Sequence, residues 1–177
     1  MRTRTLTQVS LAAFAALLLG AVAFNSFGAA PSEDAAAREA QDRAAIEALM
    51  WRYVRALDSM DADGYAAAYT EDGTFVSGST QHKGRADLKA MVVDLKKGRD
   101  ERAAKGEKIA PMYHVIANHQ ITFTGPNEAR YDSYWMTVFG AAGPETPVRV
   151  AAAGRGVDEL VRVNGQWLIK NRNVAPQ

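Results

Sequence analysis

Residues 158–169 decide the fold, and their sequence is Asp-Glu-Leu-Val-Arg-Val-Asn-Gly-Gln-Trp-Leu-Ile. The pair Asn164-Gly165 separates two runs in which apolar and polar side chains alternate. Asn-Gly between such runs is the strongest short-range signal of a β-hairpin, because both residues accept the positive φ angles of a tight turn. The pattern therefore predicts two antiparallel strands, over residues 148–163 and 166–174.

Another pair of strands precedes this hairpin. Residues 113–124 and 128–139 are rich in β-branched and aromatic side chains, and the turn residues Gly125-Pro126-Asn127 separate them. A shorter strand is predicted over residues 74–77, followed by a loop over 78–84. The second half of the chain is therefore predicted to be a meander of antiparallel strands.

Helices are predicted in the first half of the chain. Apolar side chains recur there at the spacing of one helical face, at Ile46, Leu49, Met50, Tyr53, Val54 and Leu57. This helix is expected to stop near Asp58, because turn-forming residues follow. A short second helix has Asp61 or Asp63 as its N-cap, and a third runs from about Arg85 towards Lys97.

Residues 96–108 consist almost entirely of charged residues, alanine and glycine. This composition is compatible with a solvated extension of the third helix or with a mobile loop. Two glycines in the segment favour the loop.

Three helices followed by antiparallel strands indicate an α+β domain. We expect a cone-shaped α+β barrel, in which three N-terminal helices pack on a curved antiparallel sheet. The open mouth of such a cone is a natural pocket for a small molecule.

The composition excludes several classes of function. The chain of 177 residues suits one domain, and its formal net charge of +1 argues against nucleic-acid binding, which requires a clustered basic surface. Because there is no cysteine, there is no disulfide, thiolate nucleophile or cysteine zinc site. The three histidines form no i,i+4 pair on a helix, so we expect no metal and no other cofactor.

The beginning of the chain has the order of a secretory signal peptide. Arg2 and Arg4 precede an apolar run over residues 11–24, and small residues follow at 28–30. Pro31 is a poor context for cleavage, so an uncleaved N-terminal anchor is the alternative. We expect export, to a periplasm or out of the cell.

The chain therefore divides into three predicted segments. Residues 1–30 are the signal peptide or anchor, residues 31–40 a linker, and residues 41–177 the folded domain.

Five motifs lie in order between about residue 40 and residue 174. They are Ile46-x-x-Leu49-x-x-x-Tyr53-x-x-x-Leu57-Asp58, Thr70-Glu71-Asp72-Gly73-Thr74-Phe75, Lys83-Gly84-Arg85, His114-Val115-Ile116-Ala117-Asn118-x-x-Ile121, and the stretch from Asp158 to Arg172. In order and spacing they resemble the SnoaL-like family of the nuclear transport factor 2-like superfamily. The resemblance implies the α+β fold described above. It does not specify one reaction, because this fold hosts dehydratases, isomerases, cyclases and non-catalytic binders.

The resemblance also implies an active site. Tyr53, Asp58, His114 and Arg172 are similar to the active-site pattern of bile-acid 7α-dehydratase, and the Asp–His part is similar to that of scytalone dehydratase. An Asp–His pair fixes the imidazole tautomer, so that the free ring nitrogen can take a proton near neutral pH. The charged segment before His114 lengthens the chain relative to that pattern, and Asp132 takes the place of a second histidine.

Strand alternation adds two polar residues to the candidate site. Asn118 is expected on the face of His114 and His119 on the opposite face, because alternate strand residues share a face. Asp132 shares a face with Tyr134 and is expected to line the same pocket. His82 is expected in a surface loop.

The predicted roles follow from these positions. We expect Asp58, His114 and Tyr53 to be catalytic, and Arg172, Asp132 and Asn118 to bind substrate. The alternatives are an Asp58 exposed to solvent, a structural His114, a core Tyr53, and an Arg172 that pairs only with Asp158 or Asp132.

The sequence therefore predicts an exported, cofactor-independent lyase (a dehydratase) or isomerase that acts on a small hydrophobic molecule through an Asp–His dyad. The alternative is a non-catalytic module of the same fold that binds a small ligand or dimerises. A homodimer is expected in either case, paired through the outer face of the sheet. Nucleic acid is not an expected partner, and a membrane is one only if the N-terminal segment stays uncleaved.

Overall fold

Three helices and six strands make up residues 32–175, the part of the chain that this computed structural model describes. The helices are α1 (Glu33–Asp58), α2 (Ala62–Ala67) and α3 (Arg85–Ala104). The strands are β1 (Tyr69–Ser77), β2 (Thr80–Lys83), β3 (Met112–Gly125), β4 (Glu128–Phe139), β5 (Arg149–Val163) and β6 (Gln166–Asn173).

The strands form one sheet in the order β2-β1-β6-β5-β4-β3. β3 to β6 form the predicted antiparallel meander, and the Asn164-Gly165 turn joins the last two strands with positive φ at both residues. β1 pairs parallel to β6, so the sheet is mixed rather than wholly antiparallel. This parallel pair places β6 inside the sheet, between β1 and β5.

α1 buries the predicted apolar stripe against the inner face of the sheet. Its buried residues begin at Ile46 and end at Leu57. They pack in one cluster with sheet residues such as Tyr69, Ile121 and Tyr131. The predicted architecture is therefore confirmed as an α+β fold in which N-terminal helices pack on a curved six-stranded sheet.

α3 is longer than predicted. The helix continues to Ala104, so the mobile loop favoured for residues 96–108 is wrong over most of that segment, and the helical alternative is the one observed. Ion pairs one turn apart support the extension, since Lys96 Nζ lies 2.5 Å from Asp100 Oδ2. Such i,i+4 pairs stabilise an exposed helix and offset the presence of Gly98.

Two other segments differ from the prediction. A loop is predicted where residues 80–83 form β2, which pairs with the end of β1 across a turn at Gly78 (φ 60°). α1 begins at Glu33, inside the predicted linker 31–40, because the Ser32 hydroxyl accepts a hydrogen bond from the Ala35 backbone N–H and caps the helix.

Contacts divide the chain after Ala37, and the site described below lies in the unit that begins at Arg38. The predicted signal peptide lies outside the described residues. Within residues 32–175, no helix combines the length and the apolar character needed to cross a membrane.

Candidate active site

The end of α1 positions Asp58 beside the start of β3. The backbone N–H of Asp61 donates to the carbonyl of Ala56 at 2.8 Å, and that of Met60 donates to the carbonyl of Leu57 at 3.1 Å. With Met60 in the left-handed conformation (φ 59°), these bonds form a Schellman helix end. Glycine is the usual residue at that position, so the methionine holds backbone strain next to the site.

Asp58 and His114 form a hydrogen-bonded pair. Asp58 Oδ1 accepts a hydrogen bond from the His114 backbone N–H at 2.9 Å and lies 2.8 Å from the ring Nδ1. The Asp58 side chain is 11% exposed and that of His114 is 20% exposed. Because a carboxylate only accepts hydrogen bonds, we assign the ring proton to Nδ1, which leaves Nε2 as a free acceptor. The alternative of a solvent-exposed Asp58 does not hold.

His114 forms part of the wall of a cavity of about 190 Å³ on the inner face of the sheet. The polar lining residues are Tyr53, Ser77, His114, Thr137 and Arg172. The apolar lining residues are Leu57, Phe75, Ile116, Trp135, Ala152 and Val174. Since an apolar cavity of about 150 Å³ can hold benzene, this volume suits a molecule of one or two rings.

Sequence reasoning misses two hydroxyl groups of this cavity, those of Ser77 and Thr137. Thr137 lies opposite His114 in the pairing of β3 with β4. Two register shifts separate that pair from the turn at residues 125–128, so counting outward from the turn does not identify it. Only the observed bulges bring the two side chains together.

Arg172 is buried at the cavity wall and pairs with Asp158. The Arg172 side chain is 3% exposed and that of Asp158 is 0% exposed, and Arg172 Nη1 donates to Asp158 Oδ2. The guanidinium carbon also lies over the Tyr53 ring, 4.6 Å from its centroid. Of the two carboxylates considered from the sequence, the partner of Arg172 is therefore Asp158 and not Asp132.

Burial and mutual attraction both shift the pKa values of this pair. Desolvation raises the pKa of Asp158 to about 6, although the Arg172 guanidinium opposes that shift. Burial alone would lower the pKa of Arg172, but the Asp158 carboxylate together with Tyr53 and Tyr69 raises that pKa above its usual value. Both groups are therefore charged at neutral pH, and together they are neutral.

Tyr53 belongs to a cluster of three tyrosines. Its ring centroid lies 5.3 Å from that of Tyr65 and 6.2 Å from that of Tyr69. The hydroxyls of Tyr65 and Tyr69 are 3.1 Å apart, and burial raises the pKa of both phenols well above the usual value. Tyr53 is therefore both a core residue, 3% exposed, and a wall of the cavity.

A bulge in β3 moves Asn118 away from His114. Asn118 has a φ of 49°, and the pairing with β4 shifts register over residues 117–120. Ile116 before the bulge and Ile121 after it both pack on the core, so the alternation of faces inverts there. Asn118 lines a groove on the outer face instead, and its predicted place in the cavity of His114 is corrected.

The same bulge changes the position of His119. Its ring stacks on Tyr131 with the centroids 5.2 Å apart, and its Nε2 lies 3.3 Å from Glu47 Oε1 of α1. His119 therefore lies on the same side of the sheet as His114, and its predicted place on the opposite face is wrong.

Asp132 also lies on the outer face. Arg130 Nε donates to Asp132 Oδ2 and Arg130 Nη2 to Asp132 Oδ1, each at 2.7 Å. Both residues line an outer-face groove of about 690 Å³, which is larger than the cavity of His114. Asp132 does not line the inner cavity, because in β4 it alternates with the buried Tyr131 and Ser133. Its predicted contact with a substrate at His114 is corrected.

The sequence profile of the SnoaL-like domain matches residues 38–173, which include every residue of the cavity wall except Val174. The chain belongs to the SnoaL-like family. No curated protein matches it.

Solved structures similar to this SnoaL-like domain confirm the nuclear transport factor 2-like fold. A protein of that fold from Novosphingobium aromaticivorans is 22% identical, with 80% of this chain and 86% of that chain covered and a TM-score of 0.66. A provisionally assigned scytalone dehydratase from the same species is 24% identical, with coverages of 78% and 85% and a TM-score of 0.63. Rv3472 of Mycobacterium tuberculosis, whose function is unknown, is 21% identical, with coverages of 80% and 75% and a TM-score of 0.65.

A surface groove adjoins the inner cavity of the SnoaL-like domain. It has a volume of about 370 Å³, and His114 and Ile116 line both spaces. Trp51, which is 65% exposed, lines the groove from α1. The His114 ring therefore borders both the inner cavity and the surface groove.

Proposed function

We propose that this SnoaL-like domain is a cofactor-independent lyase, of the dehydratase kind, or an isomerase that removes a C–H proton from a small hydrophobic molecule. The observation that carries the proposal is the Asp58–His114 pair, whose imidazole belongs to the wall of a mostly apolar cavity. A dehydratase assignment of one similar structure agrees with this reaction class.

The proposed first step is a proton transfer from a substrate carbon to His114 Nε2. Asp58 holds the ring through Nδ1 and stabilises the imidazolium that forms. The electron pair of the C–H bond then forms a double bond. In a dehydration the neighbouring C–O bond breaks, and the imidazolium returns its proton to the departing hydroxide as water. In an isomerisation the proton returns to another carbon of the substrate.

Hydroxyl groups at the cavity wall support the negative charge that develops on the substrate. Thr137 lies opposite His114, and Ser77 and Tyr53 also line the cavity. Donors fixed before the reaction stabilise a developing oxyanion more than solvent water does. Tyr53 in this proposal assists the departure of hydroxide or the formation of an enolate.

Proton exchange tests the proposal without requiring a complete reaction. Small neutral ketones and alcohols with acidic C–H bonds are incubated with the protein in D₂O, and deuterium incorporation is followed by NMR. We expect His114→Ala and Asp58→Asn to slow exchange of an accepted compound by about 10²–10⁴-fold, the usual contribution of a general base.

The matched control is His82→Ala. His82 Nδ1 lies 3.1 Å from Asp87 Oδ1, so it also pairs with an aspartate, but outside the cavity. We expect its exchange rate to equal that of the unmodified protein. Full exchange by His114→Ala would contradict the mechanism. Ligand binding with no exchange in any variant would favour the non-catalytic module.

We also propose that two copies pair through the outer face of β3–β5. Apolar side chains on these strands are exposed, among them Val115 (38%), Tyr134 (53%) and Val150 (58%). Sedimentation tests this pairing. We expect Tyr134→Glu to give a monomer and Val163→Glu, at the end of β5, to leave a dimer. A monomeric unmodified protein would contradict the pairing.

Export remains a proposal that rests on the first 30 residues of the sequence. Its test is the mass and location of the protein expressed with its own N-terminus in a bacterial host. A periplasmic protein that has lost about 30 residues would support a cleaved signal peptide, as its small-residue site predicts. A full-length cytoplasmic protein would contradict it.

A further inference from the structure

Arg172 is the group that could most easily attract a charged ligand to the cavity. Among the described residues that line the cavity, it carries the only permanent positive charge. A free buried guanidinium would favour carboxylates and phosphates, which it binds through paired hydrogen bonds. The residues around Arg172 determine whether its guanidinium is free to bind a carboxylate or a phosphate.

Asp158 neutralises the charge of Arg172 by forming an ion pair with it. The two side chains are 0% and 3% exposed, so little water separates or screens them. Tyr53 covers one face of the guanidinium at 4.6 Å. Arg172 therefore lines the cavity as one member of a pair that has no net charge.

The second carboxylate near the cavity belongs to Asp58, and it adds a negative charge next to His114. Asp58 Oδ1 lies 2.8 Å from the His114 ring. With a neutral imidazole, Arg172, Asp158 and Asp58 together carry one negative charge. An anionic ligand would lose its hydration on entering and would gain no compensating positive charge, which is an expensive transfer.

We propose that Asp158 is a specificity-determining residue that makes this cavity select uncharged ligands, with a carbonyl or hydroxyl oxygen as their polar group, and reject carboxylates. This inference rests on the proposed function, since it concerns the same cavity and names the substrate class. It assigns Arg172 a different role from an anchor for anions.

The polar groups of the cavity wall suit an uncharged ligand. Tyr53, Ser77 and Thr137 contribute hydroxyls, and Arg172 contributes a guanidinium whose charge Asp158 balances. A hydroxyl both donates and accepts hydrogen bonds, whereas a carboxylate only accepts. The cavity wall therefore suits an alcohol, a ketone or an amide.

Benzamide and benzoate test the proposal, because they have the same shape and differ in charge. Their affinities for the full-length protein are measured at neutral pH by ligand-observed NMR titration. We expect benzamide to bind at least about tenfold more tightly than benzoate, because the carboxylate of benzoate meets like charge in the cavity and such a juxtaposition weakens binding. Equal affinities, tighter binding of benzoate, or no binding of benzamide would overturn the proposal.

The Asp158→Asn variant tests the assigned residue. It keeps the shape of the side chain and releases the charge of Arg172, so we expect the affinity for benzoate to rise at least about tenfold while that for benzamide changes little. The matched control is Asp132→Asn, the same substitution on the outer face, which should keep the original preference. A folded Asp158→Asn variant that still rejects benzoate would overturn the proposal.

Two further variants separate the effect of the Arg172 charge from other effects of the substitution. The double variant Asp158→Asn with Arg172→Gln removes both charges, and it should lose the gained benzoate affinity. If Asp158→Asn does not fold, the relative affinities of the unmodified protein for benzamide and benzoate still test whether the cavity selects uncharged ligands. His114→Ala should keep the preference for benzamide even when proton exchange is lost, so failure of the proposed catalysis is distinguishable from failure of this inference.

Discussion

Two arginine–aspartate pairs have both residues in the sheet, one pair on each face, and they differ in their surroundings. On the outer face, the Arg130 and Asp132 side chains are 51% and 38% exposed and hydrogen-bonded to each other. On the inner face, those of Arg172 and Asp158 are 3% and 0% exposed. Water solvates the outer pair whether or not it is formed, whereas the inner pair is almost entirely shielded from water. Because the residue types are the same, burial is what makes the two pairs different in their expected contribution to stability.

The largest expected effect is on stability. Asp158→Ala leaves a buried guanidinium without its counter-charge, which typically costs about 3–5 kcal/mol of unfolding free energy. Asp132→Ala removes an exposed partner, and we expect no measurable change. Urea unfolding of both variants at neutral pH measures the difference. Equal losses of unfolding free energy from the two substitutions would show that burial does not distinguish the two pairs.

The second expected effect is a dependence of stability on pH. The pKa of Asp158 is about 6 in the folded protein, against about 3.9 for an unfolded aspartate. Between these values the folded state binds the proton and the unfolded state does not. Stability therefore falls as pH rises from about 4 to about 6, by about 3 kcal/mol for this group.

Unfolding free energies of the unmodified protein and of Asp158→Asn, measured at several pH values, isolate that contribution. Asparagine does not titrate, so the difference between the two curves should decline over this range. A difference that grows with pH would mean that attraction to Arg172 outweighs the desolvation of Asp158.

The smallest expected effect concerns the bulge that sorts polar residues between the two faces. Asn118 has a φ of 49°, a conformation that asparagine and glycine accept more easily than alanine. We expect Asn118→Ala to cost about 1 kcal/mol and Asn118→Gly to cost less. Thermal unfolding compares them with Gln120→Ala, which lies in the same outer groove. Equal costs for the alanine and glycine variants would show that the bulge does not depend on backbone conformation at Asn118.

Much of the fold could be predicted because local signals agreed with the final packing. The Asn164-Gly165 turn and the helical spacing from Ile46 to Leu57 each predict their element, and both elements are observed. The Asp58–His114 contact was predictable from the resemblance, since one residue ends a helix and the other begins a strand.

The remaining features depend on long-range packing. Alternation predicts the face of Asn118 only for a regular strand, and the bulge in β3 inverts it. Charge and glycine content favour a loop over residues 96–108, but local ion pairs and the preceding helix extend α3. The choice of Asp158 as the partner of Arg172 required the register of β5 against β6, in which the two residues lie directly opposite.

The central place of β6 also constrains how the domain assembles. β6 lies between β1 and β5 in the sheet. In the pairing of β1 with β6, Arg172 lies opposite Phe75, which is almost one hundred residues earlier in the chain. Contacts of such high sequence separation slow folding, because a long loop must close before they form. As the domain folds, α1 and β3 can bring Asp58 near His114, but the sheet stays divided in two until β6 pairs with both β1 and β5. The guanidinium that completes the cavity is therefore among the last parts to arrive.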